Sequence, residues 1–177
     1  MLYRACGATR PIPKFLVGSE VMTMATLSRF LIGIAAMLVG FHLASIFFDP
    51  LFDIAHNSLN ESVANPPPLS FYIYRSISVY KTPFAPFLFL FGVLLGYARF
   101  LTRKKRIGII IFFMVPCLLS LISLIYISIT DISEQGGAAI LQGIIRAVDF
   151  IAPFVLAWLM ASPIAKGYEK ITGESFS

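Results

Sequence analysis

Charge is scarce in this chain. Of its 177 residues 13% are Asp, Glu, Lys or Arg and 58% are hydrophobic, which leaves too little polar surface to cover a separate water-soluble domain. Cysteine is scarcer still. The two present are Cys6, in the leading segment, and Cys117, in the middle of an apolar run, so a disulfide between them is geometrically disfavoured and neither has a metal-ligating neighbour. Catalytic groupings are missing as well: there is no nucleophile with its base, no pair of histidines on a helix, no acidic cluster and no phosphate-cradling glycine loop. These absences speak against an enzyme, a metal site and a bound cofactor. With no internal repeat and no matched pair of broken helices, a secondary transporter is disfavoured too. No basic patch carries interleaved aromatics, so the net charge of +5 is no signal of nucleic acid; basic residues flanking a membrane account for it.

What the chain does have is four long apolar runs, at residues 30–48, 83–101, 107–129 and 138–160. At about 1.5 Å per helical residue each reaches nearly or fully across a hydrocarbon core of roughly 30 Å. Lipid offers the backbone no hydrogen-bond partner, so such a run is expected to be helical. The basic residues then set the orientation. Arg4, Arg10, Lys14 and Arg29 precede the first run, Arg99, Arg103, Lys104, Lys105 and Arg106 crowd the second connection, and Lys166 and Lys170 follow the fourth run. Residues 49–82 hold Arg75 and Lys81 against Asp49, Asp53 and Glu61, and the third connection holds Asp131 and Glu134 with no basic residue. Because cytoplasmic loops keep the basic residues, the reading is an all-α membrane protein. The expectation is a four-transmembrane-helix bundle with both termini cytoplasmic: residues 1–29 a cytoplasmic segment, 30–164 the transmembrane domain with an outer loop at 49–82, and 165–177 a cytoplasmic tail. The first run is too long for a cleavable signal peptide and is expected to stay as an anchor, with Met22 and Met24 as alternative starts. Asn60-Glu61-Ser62 fits the glycosylation sequon, which carries no meaning in an ordinary bacterial host.

Several positions suggest contacts between helices. Ala36, Gly40 and Ala44 form a small-residue stripe in the first run, Gly92 and Gly96 a GxxxG motif in the second, and Ala139, Gly143 and Ala147 a stripe in the fourth; small residues let helix backbones approach closely in lipid. Arg146 and Asp149, three apart on a helix, are placed to neutralise one another, either as a staple of the bundle or as a polar hook for a partner. Pro153 removes the amide that would bond the Asp149 carbonyl. His42 reads as a hydrogen-bonding group in a helix interface or as a proton relay. Pro116 predicts a kink in the third run. In the first connection Pro66-Pro67-Pro68 forces extended backbone. The stretch 69–80 fits a strand and a helix equally well by periodicity, with Tyr72, Tyr74 and Tyr80 at headgroup depth. Thr82-Pro83 has the form of a helix start.

These residues resemble a family. Leu31-Ile32-Gly33-Ile34 opening the first run, with Asp49-Pro50 closing it, and Tyr80-Lys81-Thr82-Pro83-Phe84-Ala85-Pro86 leading into the second resemble the immunity proteins of the colicin A and colicin B type, although Phe84 separates the two prolines. Asp131-Ile132-Ser133-Glu134-Gln135-Gly136-Gly137 resembles that family's acidic third connection, and Pro163 with Lys166 and Lys170 its helix-four exit. The N-terminal extension and the Arg146/Asp149 pair stand apart from the resemblance. It implies a small inner-membrane protein that binds the pore-forming domain of a cognate bacteriocin and prevents channel opening, with no cofactor and no metal. The partner-facing candidates are Gly92, Gly96, Arg146, Asp149, Tyr72, Tyr80, Lys81 and Thr82, and self-association through the same stripes stays open. From a different class, a structural or assembly subunit of a multi-protein membrane complex would use the same faces. A small ion conductor built on His42 and Asp149 is a third reading.

Overall fold

The computed structural model describes residues 14–59, 67–130, 136–173 and 175. The leading residues with Arg4, Cys6 and Arg10, the sequon at 60–62, Pro66, the connection holding Asp131 and Glu134, and the side chain of Ala139 lie outside the described residues. Among those described the chain forms helices and no strand. They are α1 (Lys14–Phe47), α2 (Asp49–Leu59), α3 (Leu69–Ser78), α4 (Ala85–Gly96), α5 (Lys105–Thr130) and α6 (Gly136–Thr172), with a 3-10 turn at Val79–Lys81 and a wider π-turn at Tyr97–Leu101.

Three helical stretches, Ala25–Ala55, Lys105–Tyr126 and Gly143–Thr172, are long and apolar enough to cross a membrane, and the pair Leu69–Lys81 and Ala85–Leu101, bent by 89°, makes a fourth if taken as one broken span. The second apolar run is thus the short one. Its helix and π-turn extend roughly 26 Å at 1.5 Å per residue, less than a full hydrocarbon thickness, and α3 turns away from it almost at a right angle. Proline causes that bend. Pro83 and Pro86 lack amides, so the helical ladder cannot run through them. Thr82 closes the turn, its hydroxyl donating to the Val79 carbonyl at 2.6 Å and accepting the Phe84 amide at 3.3 Å. The helix start expected at Thr82-Pro83 therefore lies slightly later, at Ala85, with Pro86 in its first turn.

The first and fourth runs also extend beyond their expected ends. Asp49-Pro50 does not close the first helix: Phe48 and Phe52 amides bond the carbonyls of Ala44 and Phe48 at 2.7 and 2.9 Å, carrying the helical path from α1 into α2. Proline near the start of α2 needs no amide there. Pro163 is not an exit either, since α6 continues to Thr172. It ends at Gly173, whose φ of +73° is the left-handed cap conformation glycine tolerates best and whose amide bonds the Glu169 carbonyl at 2.8 Å.

Helix α1 lies at the centre, packed chiefly on α6 and α4. Glycines permit both approaches. A Cβ on Gly33 would lie 2.5 Å from the Gly96 amide nitrogen, and one on Gly96 would lie 2.6 Å from the Arg29 carbonyl oxygen. On the other side a Cβ on Gly40 would lie 2.7 Å from Ala157 Cα and 2.8 Å from the Pro153 carbonyl oxygen. Between these crossings an aromatic core fills the bundle: Phe91 meets Phe154 edge-on at 4.8 Å, and Phe112 packs on Trp158 at 5.6 Å. Phe112, Phe154, Met37 and Leu95 are fully buried, while α5 presents Ile110, Leu121, Ile122 and Ile125 outward. An apolar exterior of this kind suits lipid rather than water.

Candidate functional site

The helices' polar residues collect at their ends. At one end stand Asp49 and Asp53 of α2, Tyr72 and Arg75 of α3, His42 and Ser45 of α1, and Asp149 of α6. At the other stand Arg99, Arg103, Lys104, Lys105 and Arg106 around the α4–α5 turn, close to the last turns of α6, which Arg99 reaches through Ser162. The middle of α1 meets the last turns of α6 there too, where Ser28 Oγ lies 3.1 Å from the Tyr168 hydroxyl.

At the Asp49 end, three polar ties fasten α3 and its following turn to the rest. The Tyr72 hydroxyl donates to Asp53 Oδ2 at 3.0 Å, Arg75 Nη1 stands 3.9 Å from Asp49 Oδ2, and His42 Nε2 lies 2.8 Å from the Tyr80 hydroxyl. The helix periodicity of α3 explains the division of labour. Tyr72 and Ser76, four apart, face inward, with Tyr72 1% exposed. Phe71, Tyr74 and Ile77, at spacings of three, face outward, with Tyr74 68% exposed. Beneath α3 lies a cavity of about 260 Å³ whose polar lining is Ser45, Asp49, Arg75 and Asp149 and whose apolar wall includes Phe41, Leu88 and Phe154. Asp49 and Asp149 both line it, so the two carboxyl groups face one cavity from α2 and α6.

Asp149 is therefore turned away from Arg146, the neighbour that spacing on the helix suggested. Arg146 is exposed and lines a separate groove of about 410 Å³ with Phe87 of α4, Ser120 and Ser123 of α5 and Phe150 of α6. Among the described residues the ion pair is Arg75 with Asp49, and Arg146 makes none. Positions three apart on a helix share a broad face, yet a third helix packed at that face can divide them, and here α1, α2 and α3 claim Asp149 while α5 lies toward Arg146.

The remaining candidates separate likewise. Gly92 and Gly96 face α1 of the same chain: a Cβ on Gly92 would stand 2.5 Å from Ile34 Cα, so the GxxxG face is occupied within the bundle. Lys81 and Thr82 are exposed beside Tyr80 at the bend. Tyr72 is buried and ties α3 down rather than offering a surface. His42 sits in a hydrogen bond with Tyr80, as its interface reading has it. In the sequence Asp53 and Arg75 register only as loop charge, and Asp49 as loop charge and as part of the Asp49-Pro50 close of the first run. The signal that places them together is amphipathic spacing: Asp49 and Asp53 lie four apart, and Tyr72 and Arg75 three apart, in segments that become visible as a matched pair once both are helical. No protein-family model, no curated protein and no solved structure matches this chain.

Proposed function

We propose that this chain is a bacterial inner-membrane immunity protein, which binds the inserted helices of a cognate pore-forming bacteriocin and keeps its channel closed. On this reading the chain crosses four times with α4 and its bent partner α3 as the second crossing, both termini are cytoplasmic, and the Asp49 end faces the periplasm. The observation that carries it is the outward face of α3. A short helix lying across the end of the bundle with Phe71, Tyr74 and Ile77 exposed is an amphipathic surface at the depth where a toxin hairpin enters. The sequence resemblance to the colicin A and colicin B type of immunity proteins supports the same reading. Docking there requires no active site: apolar packing supplies affinity, and Lys81 and Arg146, both exposed near this end, supply charges that a matched hairpin satisfies and a mismatched one leaves unpaired.

The test is membrane depolarisation, followed with a potential-sensitive dye in sensitive cells that express the chain. The toxin encoded beside its gene should fail to depolarise them, while unrelated pore-formers and nuclease toxins kill unchanged. Changing Phe71, Tyr74 and Ile77 to Ala should weaken protection about tenfold or more in toxin titre, as expected when interface anchors are truncated, without lowering the inserted protein. Full depolarisation by the neighbouring toxin in cells with verified inserted protein would falsify immunity and favour a subunit of a membrane complex.

A further inference from the structure

At the opposite end of the bundle, the π-turn and the start of α5 leave a cleft against α6. Its volume is about 510 Å³, and its polar lining is Arg99, Thr102, Arg103, Lys105 and Ser162, with no acidic residue. We propose that this cleft binds the phosphate of an anionic phospholipid headgroup.

Three observations converge on that chemistry. Arg99 is anchored rather than loose: Nη1 donates to the Trp158 carbonyl at 2.7 Å, Nη2 donates to Ser162 Oγ, and the guanidinium carbon stands 4.8 Å from the centre of the Trp158 ring. Two of its five N–H groups are thereby committed, and the other three remain for an anion that accepts in the same plane. Arg103 and Lys105, exposed and part of the lining, add two positive charges. Helix α5 begins at the same rim, and its first-turn amides have no partner within the helix.

The remaining lining tells a lipid from a soluble phosphate. Ala98, Phe100, Ile109 and the Trp158 ring form an apolar wall, which a free inorganic ion cannot use but a glycerol backbone and the first methylenes of an acyl chain can. Exposed Tyr97, Ile107 and Ile110 continue that surface onto the outside of the helices. Cavities of several hundred cubic ångströms are of ligand size, and basic pockets between transmembrane helices suit anionic headgroups. The site is independent of the immunity reading and requires only that the helices lie in a bilayer.

Trp158 is the chain's one tryptophan and stands in the wall of the cleft, so its fluorescence reports occupancy directly. The full-length protein is reconstituted in vesicles containing phosphatidylglycerol or phosphatidylcholine with brominated acyl chains, at equal mole fraction. Brominated phosphatidylglycerol should quench Trp158 at several-fold lower mole fraction than brominated phosphatidylcholine. In the double variant Arg103→Gln/Lys105→Gln that preference should fall to near unity, because each cation near the surface contributes to the attraction for anionic lipid. Lys104→Gln/Arg106→Gln, on the same turn but outside the lining, should lose less than half as much. Equal quenching by the two lipids, or an equal loss in both double variants, overturns the proposal, the second outcome indicating diffuse attraction to a basic turn. A saturable response of Trp158 to inorganic phosphate in detergent, without any lipid preference in vesicles, also overturns it. Circular dichroism of each variant verifies folding, and Arg103 and Lys105, being exposed, leave the core intact when changed.

Discussion

Tyr72, Arg75 and Tyr80 each hold α3 or its following turn through a group on α1 or α2, and each tie has its own energetic character. Tyr72 is buried, so Tyr72→Phe removes a hydrogen bond to a carboxylate and leaves Asp53 short of a donor; the expected loss is about 1.5 to 3 kcal/mol, read from unfolding in mixed detergent micelles. Tyr80→Phe, at a half-exposed position, should cost less than half of that. The Asp149 contacts make a sharper test. A double-mutant cycle on Asp49→Asn and Asp149→Asn should give a coupling of at least about 0.5 kcal/mol, whereas Arg146→Gln and Asp149→Asn should add to within about 0.5 kcal/mol. Strong coupling between Arg146 and Asp149 would contradict the side-chain placement described above. At this scale the sequence was only half legible. Spacing on one helix identifies which residues are near each other along it, but Asp49 lies a hundred residues away from Asp149, and no local pattern announces that the two meet.

Helix crossings depend on glycine, and the structure separates glycines that are needed from those that are not. Gly33, Gly40 and Gly96 each face backbone atoms of a neighbouring helix within 3 Å of an added Cβ, while nothing lies within 4 Å of one on Gly167. Backbone cannot rotate out of the way as a side chain can. Gly40→Leu and Gly96→Leu should therefore lower the yield of folded, membrane-inserted protein and cost upwards of about 3 kcal/mol in the detergent assay. Gly167→Ala, in α6, should instead stabilise by up to about 1 kcal/mol through helix propensity. Because Gly92 and Gly96 are used in packing α4 on α1, their substitution tests folding and not partner recognition. The small-residue motifs were legible in the sequence as places where helices touch. Which helix touches which was not, since α4 and a helix of another protein offer the same apolar complement to a row of glycines.

Across the whole molecule, basic charge is unevenly placed. The α4–α5 turn and the adjoining end of α6 gather most of the described arginines and lysines, while at the α2 end Arg75, Lys81 and Arg146 stand among Asp49, Asp53 and Asp149. Such a molecule has a strongly preferred orientation in a membrane whose loops follow the positive-inside rule. In intact cells carrying Cys6→Ser and Cys117→Ser, an impermeant thiol reagent should label Ser62→Cys and spare Thr102→Cys; lysis should make both reactive. Labelling of Thr102→Cys from outside would overturn the orientation and, with it, the periplasmic placement of α3. The same experiment with cysteine at Leu90, which is exposed on α4, separates a crossing from a re-entrant loop: protection from reagent on both sides marks lipid burial, and reactivity with a soluble thiol reagent marks a water-filled path.

Helical character and three of the membrane-length helices were determined by the sequence alone, because burial in lipid acts on each run separately: enough consecutive apolar residues must satisfy their own backbone, whatever else the chain does. The distribution of Lys and Arg was equally local. Tertiary structure decided the rest. The stretch 69–80 fitted two periodicities and became a helix because its inward Tyr72 and Ser76 had α1 and α2 to pack against; Asp49-Pro50 and Pro163, local stop signals, were overridden where neighbouring turns kept the helical path. Asp149 left its nearest candidate partner for Asp49 because three helices converge on one side of α6 and α5 occupies the other. A span is a property of one segment and its solvent, whereas a contact depends on where every other segment has gone.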